Sequence, residues 1–195
     1  MSNDELDQLL AQRFNFERAD LVVALKTLPA IRPGAAALTE DEARLLDEAG
    51  FIDDPVAFAE AAADIVAHTA LLITTAYTGP EVAALLGINE SRVRQRRLAG
   101  TLWAIDRDGT WVYPVIQFEL NPKTGKPDKQ IRGLEQVFQA LPAGMHPTAV
   151  AGLLRTPQSE LQIDGQPRSI VEWLRSGGPL APVLELIEIA DWAST

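Results

Sequence analysis

Residues 78–100 leave the backbone few alternatives. Thr78-Gly79-Pro80-Glu81 has the Thr-x-x-Glu spacing in which hydroxyl and carboxylate satisfy the orphan N–H groups of a helix's first turn, and Pro80 stands where a missing N–H does no harm. Val82, Ala83, Leu85 and Leu86 give that helix an apolar side, with Ala83 small where a second helix must cross closely. Gly87 permits a sharp turn, Ile88 is placed to plug the angle between two helices, and Asn89 is a favoured N-cap for the second helix, in which Val93 faces inward. The pattern predicts a helix-turn-helix.

The second helix is strongly basic, with Arg92, Arg94, Arg96 and Arg97 close together. On a helical wheel Ser91 and Gln95 point away from Val93, with Arg92 beside them. These three are candidates for base edges in a major groove. Arg94 and Arg96 flank that face, where a guanidinium reaches phosphates more naturally. Arg97 lies nearer the Val93 side and is expected to bury its stem and extend its head outward. Asn89, at the cap, completes the candidate set on this helix. A β-hairpin is expected next: Leu102 to Ile105, a turn at Asp106-Arg107-Asp108-Gly109, then Thr110 to Tyr113. As a wing it would offer Arg107 and Thr110 to the DNA backbone or minor groove. Trp103 and Trp111 are expected to pack the wing onto the helices rather than stack on bases. The competing reading is a helical hairpin with a solvated arginine face.

The formal net charge of −10 at first argues against nucleic acid, but its distribution reverses that reading. Residues 1–75 carry 5 basic and 14 acidic side chains, residues 76–133 carry 9 and 6, and residues 134–195 carry 3 and 7. Positive charge is thus concentrated around the predicted helix pair, and phosphate binding follows local potential. The chain has no cysteine, which excludes disulfides, thiolate zinc sites and cysteine nucleophiles. Its two histidines, His68 and His146, read as structural. Glu40-Asp41-Glu42 and Asp53-Asp54 read as cap and turn residues. No phosphate-binding loop or nucleophile elbow is present. No catalytic residue, metal site or cofactor is therefore expected. The opening residues are acidic and polar, without the basic and apolar regions of a leader, so the expected location is the cytoplasm. The apolar stretch at Ala70 to Ala76 is too short to span a bilayer, so no membrane contact is expected.

The flanks read as helical. Leu6, Leu9, Leu10 and Phe14 suggest one helix and Asp20 to Leu28 another. A third opens at the Thr39–Glu42 capping box and closes at Gly50. An Ala-rich helix from Pro55 to about Tyr77 suits either a core or a dimer interface. Asn121 to Gly133, rich in Lys, Pro and Gly, is expected to be a linker or loop. Four helices follow, at 134–141, 148–155, 169–175 and 181–192. Gly165-Gln166-Pro167 and Gly177-Gly178-Pro179 serve either as punctuation or as parts of a partner surface. The expected fold is mainly α: a winged helix-turn-helix with one β-hairpin (78–120), between an N-terminal helical region (1–77) suited to dimerisation and a C-terminal helical domain (133–195).

With Glu81-Val82-Ala83, Leu85-Leu86-Gly87-Ile88, Ser91, Val93 and Gly100-Thr101-Leu102 in order, the span from Thr78 to about Pro114 resembles the winged helix-turn-helix of excisionase and MerR-like proteins. The span from about Gly133 to Trp192 carries Leu153-Leu154-Arg155-Thr156-Pro157, Leu161, Asp164-Gly165-Gln166-Pro167 and Val171-Glu172-Trp173-Leu174. It resembles the toxin-binding domain of Xre/MbcA/ParS-type antitoxins. That resemblance implies a non-enzymatic antitoxin that covers a RES-domain, NAD-degrading toxin and represses its own operon. It places partner contacts at Leu161, Gly165, Pro167, Trp173 and Leu174, although Trp173 also suits a core. A homodimer is expected, because one short recognition helix reads too few base pairs for specific binding. The alternatives are an orphan transcriptional regulator and a protein-interaction adaptor with no DNA contact.

Overall fold

A computed structural model of the chain describes residues 3–28, 39–49, 55–121, 123 and 127–192. Gly50 and the Asp53-Asp54 pair lie outside the described residues, as does the side chain of Trp192. Contacts divide the chain into two units, Met1–Leu71 and Leu72–Thr195. Both the predicted helix pair and the C-terminal helical region fall in the second. Among the described residues there are ten α-helices and seven short β-strands. The fold is mixed α/β: helices predominate, with sheets of two or three strands.

The first unit contains helices α1 (Asn3–Phe14), α2 (Arg18–Lys26) and α3 (Glu40–Glu48), and most of α4 (Pro55–Thr74). Arg18 pairs with Asp7 at 2.8 Å, joining α2 to α1. The expected capping box forms at α3, where the backbone N–H and hydroxyl of Thr39 both donate to a Glu42 carboxylate oxygen at 2.8 Å. Those two bonds hold the Glu42 carboxyl below its ordinary pKa. Helix α4 corrects the view of a short apolar stretch. Its span Val56–Thr74 is long and apolar enough, by length and composition, to cross a membrane. The expectation rests on the short stretch Ala70 to Ala76, whereas this span begins at Val56 and takes in Glu60, Asp64 and His68.

The second unit opens with strand β1 (Tyr77–Thr78), helices α5 (Gly79–Leu86) and α6 (Glu90–Leu98), and strands β2 (Ile105–Arg107) and β3 (Thr110–Tyr113). The strands form one antiparallel sheet in the order β1-β3-β2, with Tyr77 opposite Tyr113 and Ile105 opposite Val112. Asp108 (φ 47°) and Gly109 (φ 86°) are both left-handed, as a type I′ turn requires. Leu102, which the sequence suggested for the first strand, instead enters a core with Val82, Ala83, Val93, Tyr113 and Phe118.

A 3₁₀ turn (Val115–Gln117) leads to β4 (Phe118–Leu120), β5 (Pro127–Gln130), α7 (Leu134–Ala140), α8 (Pro147–Arg155), β6 (Gln158–Ile163), β7 (Gln166–Arg168), α9 (Ile170–Arg175) and α10 (Ala181–Trp192). Two expectations are corrected. The supposed linker contains β5, which pairs with β4, and it includes the fully buried Ile131. The single expected hairpin has a counterpart in β6–β7, where Asp164 (φ 53°) and Gly165 (φ 73°) make the same kind of turn; Gly165 is therefore a strand connector. A second core gathers Ile131, Leu134, Leu154, Leu161, Ile170 and Leu174, among others.

Gln117 links the backbone of these regions. Its fully buried carboxamide accepts from Trp103 N–H at 3.1 Å and donates to the carbonyls of Trp103 and Pro114. Its own carbonyl accepts from Ile131 N–H. A buried amide with its donors and acceptors satisfied fixes the chain's path there.

His146 is structural, as its setting predicted. It caps α8 by accepting at Nδ1 from Thr148 N–H. Its Nε2 is buried without a hydrogen-bond partner. Burial disfavours the charged ring and lowers its pKa from the ordinary 6.5. As pH falls through 6.5, the unfolded chain takes up the proton first, so stability declines until the folded ring also titrates. The urea midpoint should therefore fall between about pH 7.5 and about pH 5.5, and His146→Asn, which keeps a capping side chain, should flatten that decline. An equally steep decline in the variant would remove His146 from this role.

Candidate nucleic-acid interface

The local rules that shape α5 and α6 also aim the side chains of α6. At the start of α5, Thr78 N–H and Oγ1 donate to a Glu81 carboxylate oxygen at 2.7 and 2.8 Å, which holds Glu81 below its ordinary pKa. Gly87 ends α5 at φ 64°, and Ile88 N–H donates back to Ala83 at 3.0 Å. That left-handed residue turns the chain without the strain a side chain would bring. Asn89 Oδ1 then accepts from Arg92 N–H at 2.8 Å and starts α6. Val93 is 1% exposed against α5, which fixes the rotation of α6.

With Val93 inward, Ser91, Arg92, Arg94 and Gln95 are all exposed. Arg92 Nη1 donates to Gln95 Oε1 at 3.3 Å, so these two side chains share one surface. A polar recess of about 440 Å³ adjoins them, lined by Gly87, Asn89, Ser91, Arg92 and Gln95 among others. This face can donate and accept hydrogen bonds and carries two cationic heads. At the β2–β3 hairpin, Arg107 and Thr110 stand opposite each other and flank the turn; Thr110 is exposed and Arg107 half-buried.

Two arginines do not join this surface as the sequence suggested. Arg96 turns toward β5, donating through Nη2 to Gln130 Oε1. Burial lowers its pKa, partly offset by nearby Glu135. Gln130 in turn donates to Thr101 O at 2.8 Å, and Gln139 Nε2 on α7 donates to Ala99 O at 3.0 Å. Arg96 thus braces the C-terminal end of α6. Arg97 does not extend outward either: its guanidinium lies 3.9 Å over the Trp111 ring. It stands near the Tyr113 hydroxyl, whose pKa burial raises and the positive charge of Arg97 partly restores. Trp111 packs on the α5–α6 core, while Trp103 packs on the C-terminal core with its ring centroid 6.2 Å from that of Phe138. Both tryptophans pack, as expected, though on different clusters. The sequence missed Gln117, Gln130 and Gln139 altogether, because a glutamine in a loop or on a helix carries no local signal of a distant carbonyl.

Searches of protein families, curated proteins and solved structures find no match to this chain.

The residues proposed for partner contact divide as well. Gly165 and Pro167 are exposed beside the β6–β7 turn. Leu161 is fully buried and Leu174 is 7% exposed, both within the C-terminal core, so neither presents a contact surface. Trp173 is half-buried, and its indole N–H donates to Pro179 O at 2.9 Å. The ring lies against Gly178, where an added Cβ would fall 2.3 Å from Trp173 Cε2. Gly178→Ala should therefore displace the indole and lower stability by about 1–3 kcal/mol, read by thermal unfolding. An unchanged midpoint would refute this packing.

Proposed function

We propose that residues 77–120 act as a winged helix-turn-helix and that the chain binds double-stranded DNA sequence-specifically through α6. The observation that carries this reading is the exposed set Ser91, Arg92, Arg94 and Gln95 on a helix whose rotation is fixed by buried Val93. Arg92 and Gln95 present the donor and acceptor edges that read bases, while Arg94 suits a phosphate. The type I′ turn carries Arg107 and Thr110 as the wing. Its short helix calls for a second copy on the operator, and the Ala-rich α4 is our candidate for the contact between copies. Glu60 and Asp64 weigh against placing α4 in a bilayer, where an acidic side chain at the helix centre costs about 2.5–3.5 kcal/mol.

Within this reading the chain is the antitoxin-like autorepressor that the C-terminal resemblance implies. It acts without catalysis and meets a RES-domain toxin through a surface that includes Gly165 and Pro167. A cytoplasmic location goes with that role. Selection from a random duplex pool by the full chain tests the DNA reading. It should enrich two half-sites about 10 base pairs apart, with binding that weakens steeply as salt rises. A pool that stays random at low salt would refute it.

A further inference from the structure

We propose that the second unit holds a binding site for a small planar aromatic anion in the cleft between α6, β3 and the α7–α8 loop. The cleft measures about 380 Å³, within the roughly 300–1,000 Å³ typical of small-molecule sites. Its walls include Trp103, Trp111, Phe138 and Met145, which come from separate segments of the chain. Both tryptophans are only half-buried, so ring faces and edges remain available to a planar guest. Met145, on a loop turned by Gly144 at φ 81°, supplies an unbranched side chain that can adjust to a ligand's outline.

Charge selects the kind of guest. Among the described residues lining the cleft, Arg97 is the charged one; no carboxylate accompanies it. In a chain of net charge −10 this is a local reversal. Stacking on Trp111 occupies one face of the guanidinium. Its planar fork keeps the N–H donors in the guanidinium plane, suited to a carboxylate, sulfonate or phosphate oxygen. The walls are fixed without a ligand: Gln139 ties α7 to Ala99, Gln130 holds Thr101, and Gln117 brackets the backbone of Trp103 on both sides. A pre-formed site loses less freedom on binding. It does not use the exposed Ser91–Gln95 face and stands whether or not that face meets DNA.

Two dyes test it on the full chain: anilinonaphthalene sulfonate, an aromatic anion, and N-phenylnaphthylamine, its uncharged relative. Each is titrated by fluorescence and mapped by amide chemical shifts. The sulfonate should bind saturably, one per chain, with shifts concentrated at residues 97–104, 111 and 138–150. Arg97→Gln should weaken the sulfonate roughly tenfold and the neutral dye little. If that variant unfolds, Ala143→Trp, at an exposed rim position, should block both dyes while the fold persists. Absence of saturable sulfonate binding, shifts confined to residues 3–71, or equal binding of the sulfonate to folded wild-type and variant chains would overturn the proposal.

Discussion

Replacing Arg92 and Arg94 together with alanine is expected to remove specific DNA binding while leaving the fold intact. Both side chains are exposed, and neither lies in a core cluster, so stability should change by less than about 0.5 kcal/mol. A base-edge arginine accounts for about 1–3 kcal/mol of discrimination. Each lost phosphate contact lowers the slope of log affinity against log salt by about 0.9. The double variant should therefore bind its selected site about a hundredfold more weakly, with a shallower salt dependence. Arg96→Ala provides the contrast. Because Arg96 is tied to Gln130, its loss should lower thermal stability as well as affinity. A double variant that keeps wild-type affinity and slope would exclude α6 from the interface.

The largest expected stability effect lies at Leu161→Ala. This leucine is fully buried; it lies on β6 inside the C-terminal core. Truncating such a side chain costs about 2–5 kcal/mol, a large share of the roughly 5–15 kcal/mol by which a protein of this kind is stable. Urea unfolding should show that loss directly. Pro167→Ala, at an exposed position on the paired strand β7, should change stability by less than about 0.5 kcal/mol. If Leu161→Ala were as stable as wild type, its side chain would not be in the core and its place on a partner surface would be restored.

These two cases mark what the sequence made legible. The helix pair was readable because every signal is local: Thr78 to Glu81, Gly87, and Asn89 to Arg92 are each resolved within a few residues. The first hairpin was readable from Asp108-Gly109. The second was not legible, although Asp164-Gly165 carries the same dipeptide signal, because Leu161 and Ile163 are the apolar residues of its strands and Pro167 interrupts the second. Strand β5, Pro127-Asp128-Lys129-Gln130, is polar after its opening proline and so carries the composition of a linker. Side-chain destinations were the least legible. Helical geometry placed Ser91 and Gln95 opposite Val93 with Arg92 beside them, but the direction of Arg96 depends on Gln130, and that of Arg97 on Trp111. No spacing rule within one helix contains those distant partners.

Titration of the full chain with its selected duplex, followed by backbone amide shifts, tests the DNA reading most directly. The account predicts perturbations centred on Gly87 to Gln95, with a second set at Arg107 to Thr110 and little change at Leu134 to Trp192. Shifts confined to the C-terminal helices, or none at low salt, would contradict it.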